Sequence, residues 1–159
     1  MGEEEFVTKK LGGVENKEQL KKILLAMIGE VKSAKYKTEI IKLCFILDYL
    51  YCKEFGANKG PTTVEYVKYN YGPYSESFVE VLDELKNEGK LTEVILNFGV
   101  GYSLTSTIGT EEVDTNIRKT IKGVVSSFGN KSLRELKAYI YNLNEFKKAE
   151  FGKPIILHE

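Results

Sequence analysis

The sequence predicts an α+β fold that is mainly α-helical, with a winged helix-turn-helix-like core, a two-stranded β-hairpin wing and additional N- and C-terminal helices. Two observations lead to this prediction. Several segments place apolar residues at the spacing of one helix face, whereas the region between Gly89 and Thr105 alternates as paired strands do. Three helices followed by a hairpin are typical of winged helix-turn-helix proteins.

One domain is expected after a short tail. With 159 residues and 42% hydrophobic content, the chain can bury about two-thirds of its unfolded surface in a single core. Residues 1–15 contain three consecutive glutamates, two lysines and a glycine pair, so we expect a flexible N-terminal tail there. The single domain then covers residues 16–159, with the winged-helix core at 37–106 and C-terminal helices at 115–150.

The first two predicted helices differ in how much of their surface is apolar. Asn16 can cap an N-terminal helix over residues 17–31, which has one apolar face. Residues 37–55 are apolar nearly all round and end at Gly56. A helix with so wide an apolar circumference is expected to be central and mostly buried.

Asp48 is the notable residue of this central helix, because a carboxylate among apolar neighbours needs a partner or a route to water. Two interpretations are open. The carboxylate either accepts a structural hydrogen bond from a neighbouring helix end or a tyrosine, or it faces a binding partner.

Cysteine and histidine usage predicts neither a metal site nor a cofactor. Cys44 and Cys52 are eight residues apart on the central helix, a rise of about 12 Å, which exceeds the ~7 Å limit for a disulfide. Both are expected to be buried thiols. The single histidine, His158, is near the end of the chain, and two cysteines with one histidine do not make a dedicated zinc site.

A short helix is expected next, starting at Pro61 and stopping at the Gly72-Pro73 turn. Thr62 and Glu65 have the spacing of a capping box, and glycine followed by proline ends a helix. An acidic amphipathic helix is then expected over residues 76–88.

The wing and the C-terminal helices complete the prediction. Residues 91–96 and 101–105 read as two strands of a hairpin, joined by residues 97–100. The last third carries two apolar stripes at helical spacing, and Ser132 with Glu135 forms a second capping box.

The net charge is zero, but its distribution is uneven. Residues 1–59 carry 11 basic and 9 acidic side chains, residues 60–117 carry 3 and 10, and residues 118–159 carry 9 and 4, so the three parts have charges of +2, −7 and +5. No stretch approaches the ~18 consecutive apolar residues of a membrane span, and the first residues are acidic, unlike a secretory signal. We therefore expect a cytoplasmic protein that does not bind membranes.

Several residues together resemble the Panacea domain, the SocA-like antitoxin domain of prokaryotes and phages. The resemblance covers roughly residues 20–156. Its residues are Lys37, Thr38, Ile41, Lys42, Leu43 and Asp48 on the central helix, the Tyr-Gly-Pro-Tyr sequence at 71–74, Leu82, Leu85, the runs 89–91 and 101–105, and the closing stretch from Leu136 to Ile155. The family pattern usually has a small aliphatic residue where this chain has Tyr74.

The resemblance implies a non-enzymatic, protein-binding module. Members of the family neutralise unrelated toxins by direct contact, and one branch delivers the toxin to a protease as an adaptor. A toxin-like protein partner is therefore expected. The oligomeric state does not follow from the sequence.

The tyrosine cluster around Gly72 and Pro73 is the predicted contact surface. Tyrosine contributes a large contact area with little loss of rotamer freedom and is enriched at interfaces. The alternative is that two or three of these tyrosines pack against the central helix. The cluster comprises Tyr66, Tyr69, Tyr71 and Tyr74. The predicted partner-binding residues are Tyr69, Tyr71, Gly72, Pro73 and Tyr74, with Asp48 supporting them from the central helix.

A winged-helix DNA-binding transcriptional regulator is the alternative function. Charge argues against the usual docking mode, because the acidic helix faces outward with glutamates and no lysine or arginine lies between Lys90 and Arg118. If nucleic acid binds, the candidates are the basic residues of the last third, which otherwise form an ordinary solvated helix face. These residues are Arg118, Lys119, Lys122, Lys131, Arg134 and Lys137.

An enzyme is not predicted. The sequence lacks the phosphate-binding loop, dinucleotide-binding and nucleophile-elbow motifs. Asp83 and Glu84 are adjacent on a helix and point apart, so they cannot share a substrate proton.

Overall fold

The structure is a computed structural model that describes residues 12–70, 72–106 and 113–157. These residues form an α+β fold in which helices predominate, which confirms the predicted class. The helices are α1 (Lys17–Val31), α2 (Lys37–Phe55), α3 (Glu76–Asn87), α4 (Thr115–Phe128), α5 (Leu133–Tyr141) and α6 (Asn144–Lys148). The strands are β1 (Lys35–Tyr36), β2 (Val67–Tyr69), β3 (Gly72–Tyr74), β4 (Leu91–Leu96) and β5 (Gly99–Leu104).

Helix α2 is the centre of the core, as its wide apolar circumference predicts. Its middle turns are buried continuously from Ile40 to Asp48. It contacts α1, α3, α4 and α5, and the hairpin strand β3 packs near its start. Glycine at position 56 adopts a left-handed conformation (φ 65°) and ends the helix. Both cysteines of α2 are buried free thiols, as expected.

The capping predictions for α1 and α5 are confirmed. The Asn16 side chain accepts a hydrogen bond from the backbone N–H of Gln19 at 3.0 Å. At the start of α5, the Ser132 hydroxyl accepts from the Glu135 N–H, and the Glu135 carboxylate accepts from the Ser132 N–H, both at 3.1 Å. These side chains satisfy backbone donors that the first helical turn leaves unpaired.

The predicted two-stranded hairpin of the wing is present as β4 and β5, and strand β1 extends it to a three-stranded antiparallel sheet with the order β1-β5-β4. Strands β4 and β5 pair over their full lengths, from Leu91 with Leu104 to Leu96 with Gly99. The third strand, Lys35–Tyr36, pairs with Tyr102 and Gly101. It has only two residues, which is too short to produce an alternating pattern in the sequence.

The predicted short helix after Pro61 is wrong. Between Phe55 and Glu76 the described residues contain no helix, and the two strands β2 and β3 form a hairpin instead. Thr62 does not act in a capping box, because its hydroxyl donates to Asp48. The strand-like residues pair with distant segments: Glu65 N–H donates to Gly13 O at 2.8 Å, and Ile155 N–H donates to Tyr66 O at 2.9 Å. These long-range hydrogen bonds override the local helix signal.

Part of the segment predicted as a flexible tail contacts the domain. Residues 1–11 lie outside the described part, but residues 12–15 pack against the region of Thr63 to Ser77. Val14 bridges to Val64, and the carbonyl of Gly12 accepts hydrogen bonds from the hydroxyls of Ser75 and Ser77 at 2.7 and 3.3 Å. Residues 12–15 therefore pack against the chain that follows them, ahead of the expected start of the domain at residue 16.

Asp48 joins the central helix to the extended segment that leads into the hairpin. Its side chain is 1% exposed. One carboxylate oxygen accepts from the Thr62 backbone N–H at 3.0 Å, and the other accepts from the Thr62 hydroxyl and from the Tyr66 hydroxyl, the latter at 2.7 Å. A side chain at Gly60 would overlap Asp48 directly, so only glycine fits there. This arrangement matches the first interpretation of Asp48, in which its carboxylate accepts a structural hydrogen bond from a tyrosine.

Burial dominates the ionisation of this network. It raises the pKa of Asp48 from 3.8 to about 6, although the hydrogen bonds from Thr62 and Tyr66 oppose the shift. Burial and the nearby carboxylate of Asp48 also raise the pKa of Tyr66 well above its ordinary value. The Tyr66 hydroxyl therefore stays protonated and remains a donor to Asp48.

Replacing Asp48 with alanine should lower the free energy of unfolding by about 3 kcal/mol or more. The Thr62 N–H and the Tyr66 hydroxyl would stay buried without an acceptor, each at a cost of about 1–3 kcal/mol. Glu54→Ala is the matched control, because Glu54 is exposed on the same helix, and its effect should stay within about 0.5 kcal/mol. Urea denaturation measures both, and a similar small loss for the two variants would contradict the network's role.

The Asp48 network should also make stability depend on pH. Because the pKa of Asp48 is higher in the folded state, the folded protein binds more protons than the unfolded chain between about pH 4 and 6. Stability from this group is therefore lost as the pH rises through that window, by about 3 kcal/mol in total. Asp48→Asn cannot titrate, so its stability relative to the wild type should increase from pH 4.5 to 7 in denaturation curves. The opposite trend would mean that the three hydrogen bonds outweigh desolvation.

Candidate functional site

A cleft of 280 Å³ lies between the start of helix α2 and the β2–β3 hairpin. We call it the hairpin cleft. It is lined by Lys37, Thr38, Ile41 and Lys42 from the first turns of α2 and by Tyr69, Gly72, Pro73 and Tyr74 from the hairpin. Four of the predicted partner-binding residues, Tyr69, Gly72, Pro73 and Tyr74, are therefore brought together around one concave surface. The fifth, Tyr71, lies outside the described residues.

The hairpin has its shape because Gly72 takes a conformation that other residues disfavour. Its φ is 115°, in the region open mainly to glycine. Tyr69 pairs with Gly72, Lys68 with Pro73 and Val67 with Tyr74. This register places Tyr69 and Tyr74 next to each other, with their ring centroids 5.7 Å apart and the rings stacked.

The stack continues with a third ring from the C-terminal segment. Phe151 lies 5.6 Å from Tyr69, at an interplanar angle of 18°. We call Tyr74, Tyr69 and Phe151 the aromatic column. Tyr69 is 40% exposed and Phe151 is 62% exposed, so the column presents aromatic surface to solvent beside the cleft. Backbone hydrogen bonds between Lys68 and residues 152 and 153, at 2.7 and 3.0 Å, hold the C-terminal segment against the hairpin.

Lys42 is a buried cation beside the hairpin cleft. Lys42 as a whole is only 5% exposed to solvent. Burial, assisted by repulsion from Lys137 on α5, lowers the pKa of Lys42 from 10.5 to about 8. A side-chain carbon built at Gly72 would lie 3.2 Å from the Lys42 Nζ atom, so the ammonium group sits directly against the turn. The absence of a side chain at Gly72 leaves room for it.

Tyr66, a member of the predicted tyrosine cluster, and Asp48, the predicted support of the contact residues, both lie inside the core. Tyr66 is 1% exposed and packs between Phe45 and Phe78, with ring centroids 5.0 and 5.9 Å away. The Tyr66 hydroxyl donates a hydrogen bond to the Asp48 carboxylate. Asp48 therefore supports the chain that leads into the hairpin and does not present its carboxylate to solvent.

The acidic helix α3 is partly neutralised within the molecule. The Lys17 ammonium lies 2.8 Å from the Glu80 carboxylate and 2.9 Å from that of Glu84, and Lys21 pairs with Glu84 at 3.1 Å and with Glu88 at 2.6 Å. The sequence analysis treats the acids of this helix as facing outward and does not anticipate these two lysines of α1. Helix α3 still exposes no cationic row for phosphate contacts, since Lys86 itself pairs with Glu93 at 2.7 Å.

The tip of the wing is apolar. Ile95 is 91% exposed and Phe98 is 92% exposed. Such a tip offers no charge to a nucleic acid backbone, whose binding depends on phosphate neutralisation.

The candidate nucleic-acid-binding residues lie on α4, on α5 and in the turn between them. Lys119, Lys122, Lys131, Arg134 and Lys137 are exposed, while Arg118 is half-buried. Lys131 is 3.6 Å from the Glu135 carboxylate, and the Lys137 ammonium lies 5.2 Å from the centre of the Tyr141 ring. None of the six residues lines the hairpin cleft.

The described ranges contain neither a metal-binding cluster nor a membrane-spanning helix. No group of three or more histidine, cysteine, aspartate or glutamate side chains there could hold a metal ion. None of the helices at 12–70, 72–106 and 113–157 is long and apolar enough to cross a membrane.

Sequence reasoning missed two members of the site. Phe151 is far from the hairpin along the chain, and only the pairing of residues 66–68 with 151–155 brings it there. Lys42 contributes to the family resemblance but is not among the predicted site residues. The sequence signal for Lys42 is that a lysine interrupts an otherwise apolar helix.

One comparison with known proteins gives a family. The model of the family described as "Antitoxin SocA-like, Panacea domain" matches residues 40–147, about two-thirds of the chain. No curated protein and no solved structure matches the chain. The matched region includes most of α2, the β2–β3 hairpin, α3, strands β4 and β5, and helices α4 and α5.

Gly72→Ala should lower the free energy of unfolding by about 1–3 kcal/mol, because a residue with a side chain is strained at this φ. Gly123→Ala is the matched control: Gly123 lies inside α4, and a side-chain carbon there meets nothing within 4 Å. The control should stabilise the protein by up to about 1 kcal/mol. Thermal denaturation of both variants checks the prediction, and equal effects would show that the hairpin does not require glycine.

Proposed function

Because the chain belongs to the antitoxin SocA-like, Panacea domain family, we propose that it is a non-enzymatic module that binds a toxin-like partner protein by direct contact and neutralises or delivers it. The family indicates a role related to toxin–antitoxin systems. The proposal adds the place of contact: the hairpin cleft together with the aromatic column.

The observation that carries the proposal is the exposed stack of Tyr69 and Phe151 beside a concave surface. Aromatic side chains dominate the energetics of protein interfaces, and the residues that matter most cluster where a ring meets a pocket. Tyr69 lines the cleft, and its ring also belongs to the exposed aromatic column. Pro73 is paired in β3 opposite Lys68, and a proline has little backbone freedom to lose when a partner binds.

Support for the alternative of DNA binding comes from the exposed basic side chains of α4 and α5, including Lys119, Lys122 and Arg134. Against it stand the acidic side chains of α3 and the apolar wing tip. A protein that binds DNA through α4 and α5 would do so away from the hairpin cleft. The two functions therefore predict different sensitive residues.

The test is capture of a partner from a lysate of the native host with tagged protein, with and without nuclease, followed by mass spectrometry. Tyr69→Ala should reduce recovery of the partner at least tenfold, which corresponds to about 1.4 kcal/mol. Tyr69 is a better probe than Tyr74, because Tyr74 also packs against the core. Phe98→Ala is the control, since it removes an even more exposed ring from the wing tip, away from the cleft, and recovery should not change.

Two outcomes would contradict the proposed function. Equal losses for Tyr69→Ala and Phe98→Ala would remove the hairpin cleft as the contact surface. Loss of the partner on nuclease treatment, together with weaker binding after Lys119→Ala and Lys122→Ala, would favour the DNA-binding alternative. Melting curves of each variant separate a binding defect from unfolding.

A further inference from the structure

Strand β4 (Leu91–Leu96) lies at the outer edge of the wing sheet. The strand order is β1-β5-β4, so β4 is paired on one side only among the residues that the structure describes. We propose that this edge pairs antiparallel with β4 of a second copy of the chain. Two sheets of three strands would then join into one sheet of six strands.

The hydrogen-bond pattern of the wing shows which backbone groups of β4 point outward. In an antiparallel pair, every second residue exchanges hydrogen bonds with its partner, and the residues between them point their N–H and C=O groups away. The Thr105 N–H donates to the Lys90 carbonyl at 3.1 Å, in the same register as the β4–β5 pairs. The even-numbered residues of β4 therefore bond to β5, whereas Leu91, Glu93 and Ile95 direct their backbone groups to the open edge. At these three positions no backbone hydrogen bond to another segment of 12–70, 72–106 or 113–157 is made.

This edge lacks the features that usually prevent a strand from pairing with another chain. Free N–H and C=O groups at an edge form a template for a further strand, and proteins commonly block it with lysine, proline or a bulge. Residues 91–99 contain no lysine, arginine or proline. The β4–β5 register is continuous and has no bulge. The edge of β4 is therefore open to a second strand.

Apolar side chains at the tip of the wing would be covered by such a strand. Exposure increases along β4, from 2% at Leu91 to 91% at Ile95, and the turn that follows exposes Phe98. Ile95 pairs with Val100, so both side chains lie on one face of the sheet. The Tyr36 hydroxyl accepts a hydrogen bond from the Phe98 N–H at 2.9 Å and fixes the turn. Burying these side chains against a second copy would remove apolar surface from water.

Charge favours a second copy as the occupant of this edge. The only charged residue between positions 91 and 104 is Glu93, and its carboxylate already lies 2.7 Å from the Lys86 ammonium. The chain has a net charge of zero, so two copies do not repel each other at long range. The edge is therefore compatible with an identical edge, as a two-fold interface requires.

The same reasoning selects the register of the two strands. A two-fold axis at Ile95 places this side chain opposite its own counterpart, and it places Glu93 opposite Asn97 of the second copy. An axis at Glu93 would bring two carboxylates opposite each other, which is destabilising. The axis at Ile95 also keeps the two molecules apart, because it lies at the exposed end of β4 rather than at the buried end.

The expected contact is small. A phenylalanine ring buries about 150–250 Å², so two wing tips together reach only the low end of specific interfaces, at roughly 1,200 Å² or less in total. We therefore expect a weak, reversible dimer that forms at high protein concentration.

Sedimentation equilibrium of the full chain, from micromolar to millimolar concentration, tests the association. The mean mass of the wild type should rise from one chain toward two. Ile95→Lys should weaken the association at least tenfold, because it places like charges opposite each other at the axis. Ile156→Lys is the matched control, since it makes the same substitution at another exposed isoleucine, outside the wing, and it should leave the association unchanged.

Hydrogen exchange of the ¹⁵N-labelled chain tests the pairing of the strands themselves. The amides of Glu93 and Ile95 point outward in a single chain, so they should exchange fast when dilute and more slowly as the dimer forms. The Val94 amide already bonds to β5 and should change much less. A mass that rises with concentration while the Ile95 amide stays unprotected would overturn the proposed strand pairing, because the tips would then be joined by side chains alone.

Two results of the sedimentation experiment would also overturn the inference. One is a wild-type chain that stays monomeric at millimolar concentration, and the other is an equal loss of association in Ile95→Lys and Ile156→Lys. If the monomeric chain captures a partner and Ile95→Lys alone reduces the recovery, the edge receives a strand of that partner and the second copy is wrong. No residue of β4 or of its turn lines the hairpin cleft, so this inference is independent of the proposed function.

Discussion

The buried carboxylate of Asp48 is the interaction on which the rest of this structure depends. It lies on the central helix and accepts three hydrogen bonds from Thr62 and Tyr66. A charge removed from water is costly unless it is fully hydrogen-bonded, so the segment from residue 60 to 66 is held in the one arrangement that satisfies it. Gly60 permits the close approach. The hairpin that follows therefore starts from a fixed position relative to helix α2, and the cleft between them has a defined shape.

The cleft also lies beside a group whose charged form is disfavoured by its surroundings. The ammonium of Lys42 is disfavoured by burial and by Lys137, yet the turn at Gly72 leaves space for it. Ionisable groups with shifted pKa values concentrate at functional sites because their desolvation makes interactions with a ligand stronger. The aromatic column at the rim contributes apolar area.

Intramolecular pairing changes what the charge distribution of the sequence means. The middle third has a charge of −7 (3 basic and 10 acidic residues), but the glutamates of α3 lie against Lys17 and Lys21 of α1. Part of the negative charge of α3 therefore forms ion pairs that join α3 to α1. The wing, with Phe98 exposed at its tip, supplies no cation to a phosphate backbone. These features weigh against the usual docking of a winged helix on DNA, although the basic side chains of α4 and α5 remain open to solvent.

The sequence by itself determined the elements that local patterns encode. Helices α1, α2 and α3, the caps at Asn16 and Ser132, and the β4–β5 pair follow from side-chain periodicity and turn chemistry, which act within a few residues. Only the tertiary structure decided the state of residues 61–74, which form a hairpin because Thr62 bonds to Asp48 and Tyr66 pairs with Ile155. The same long-range contacts bring Phe151 to Tyr69 and bury Tyr66. Local propensity could not reveal them, because a contact between residues far apart in the chain leaves no periodic signal in either segment.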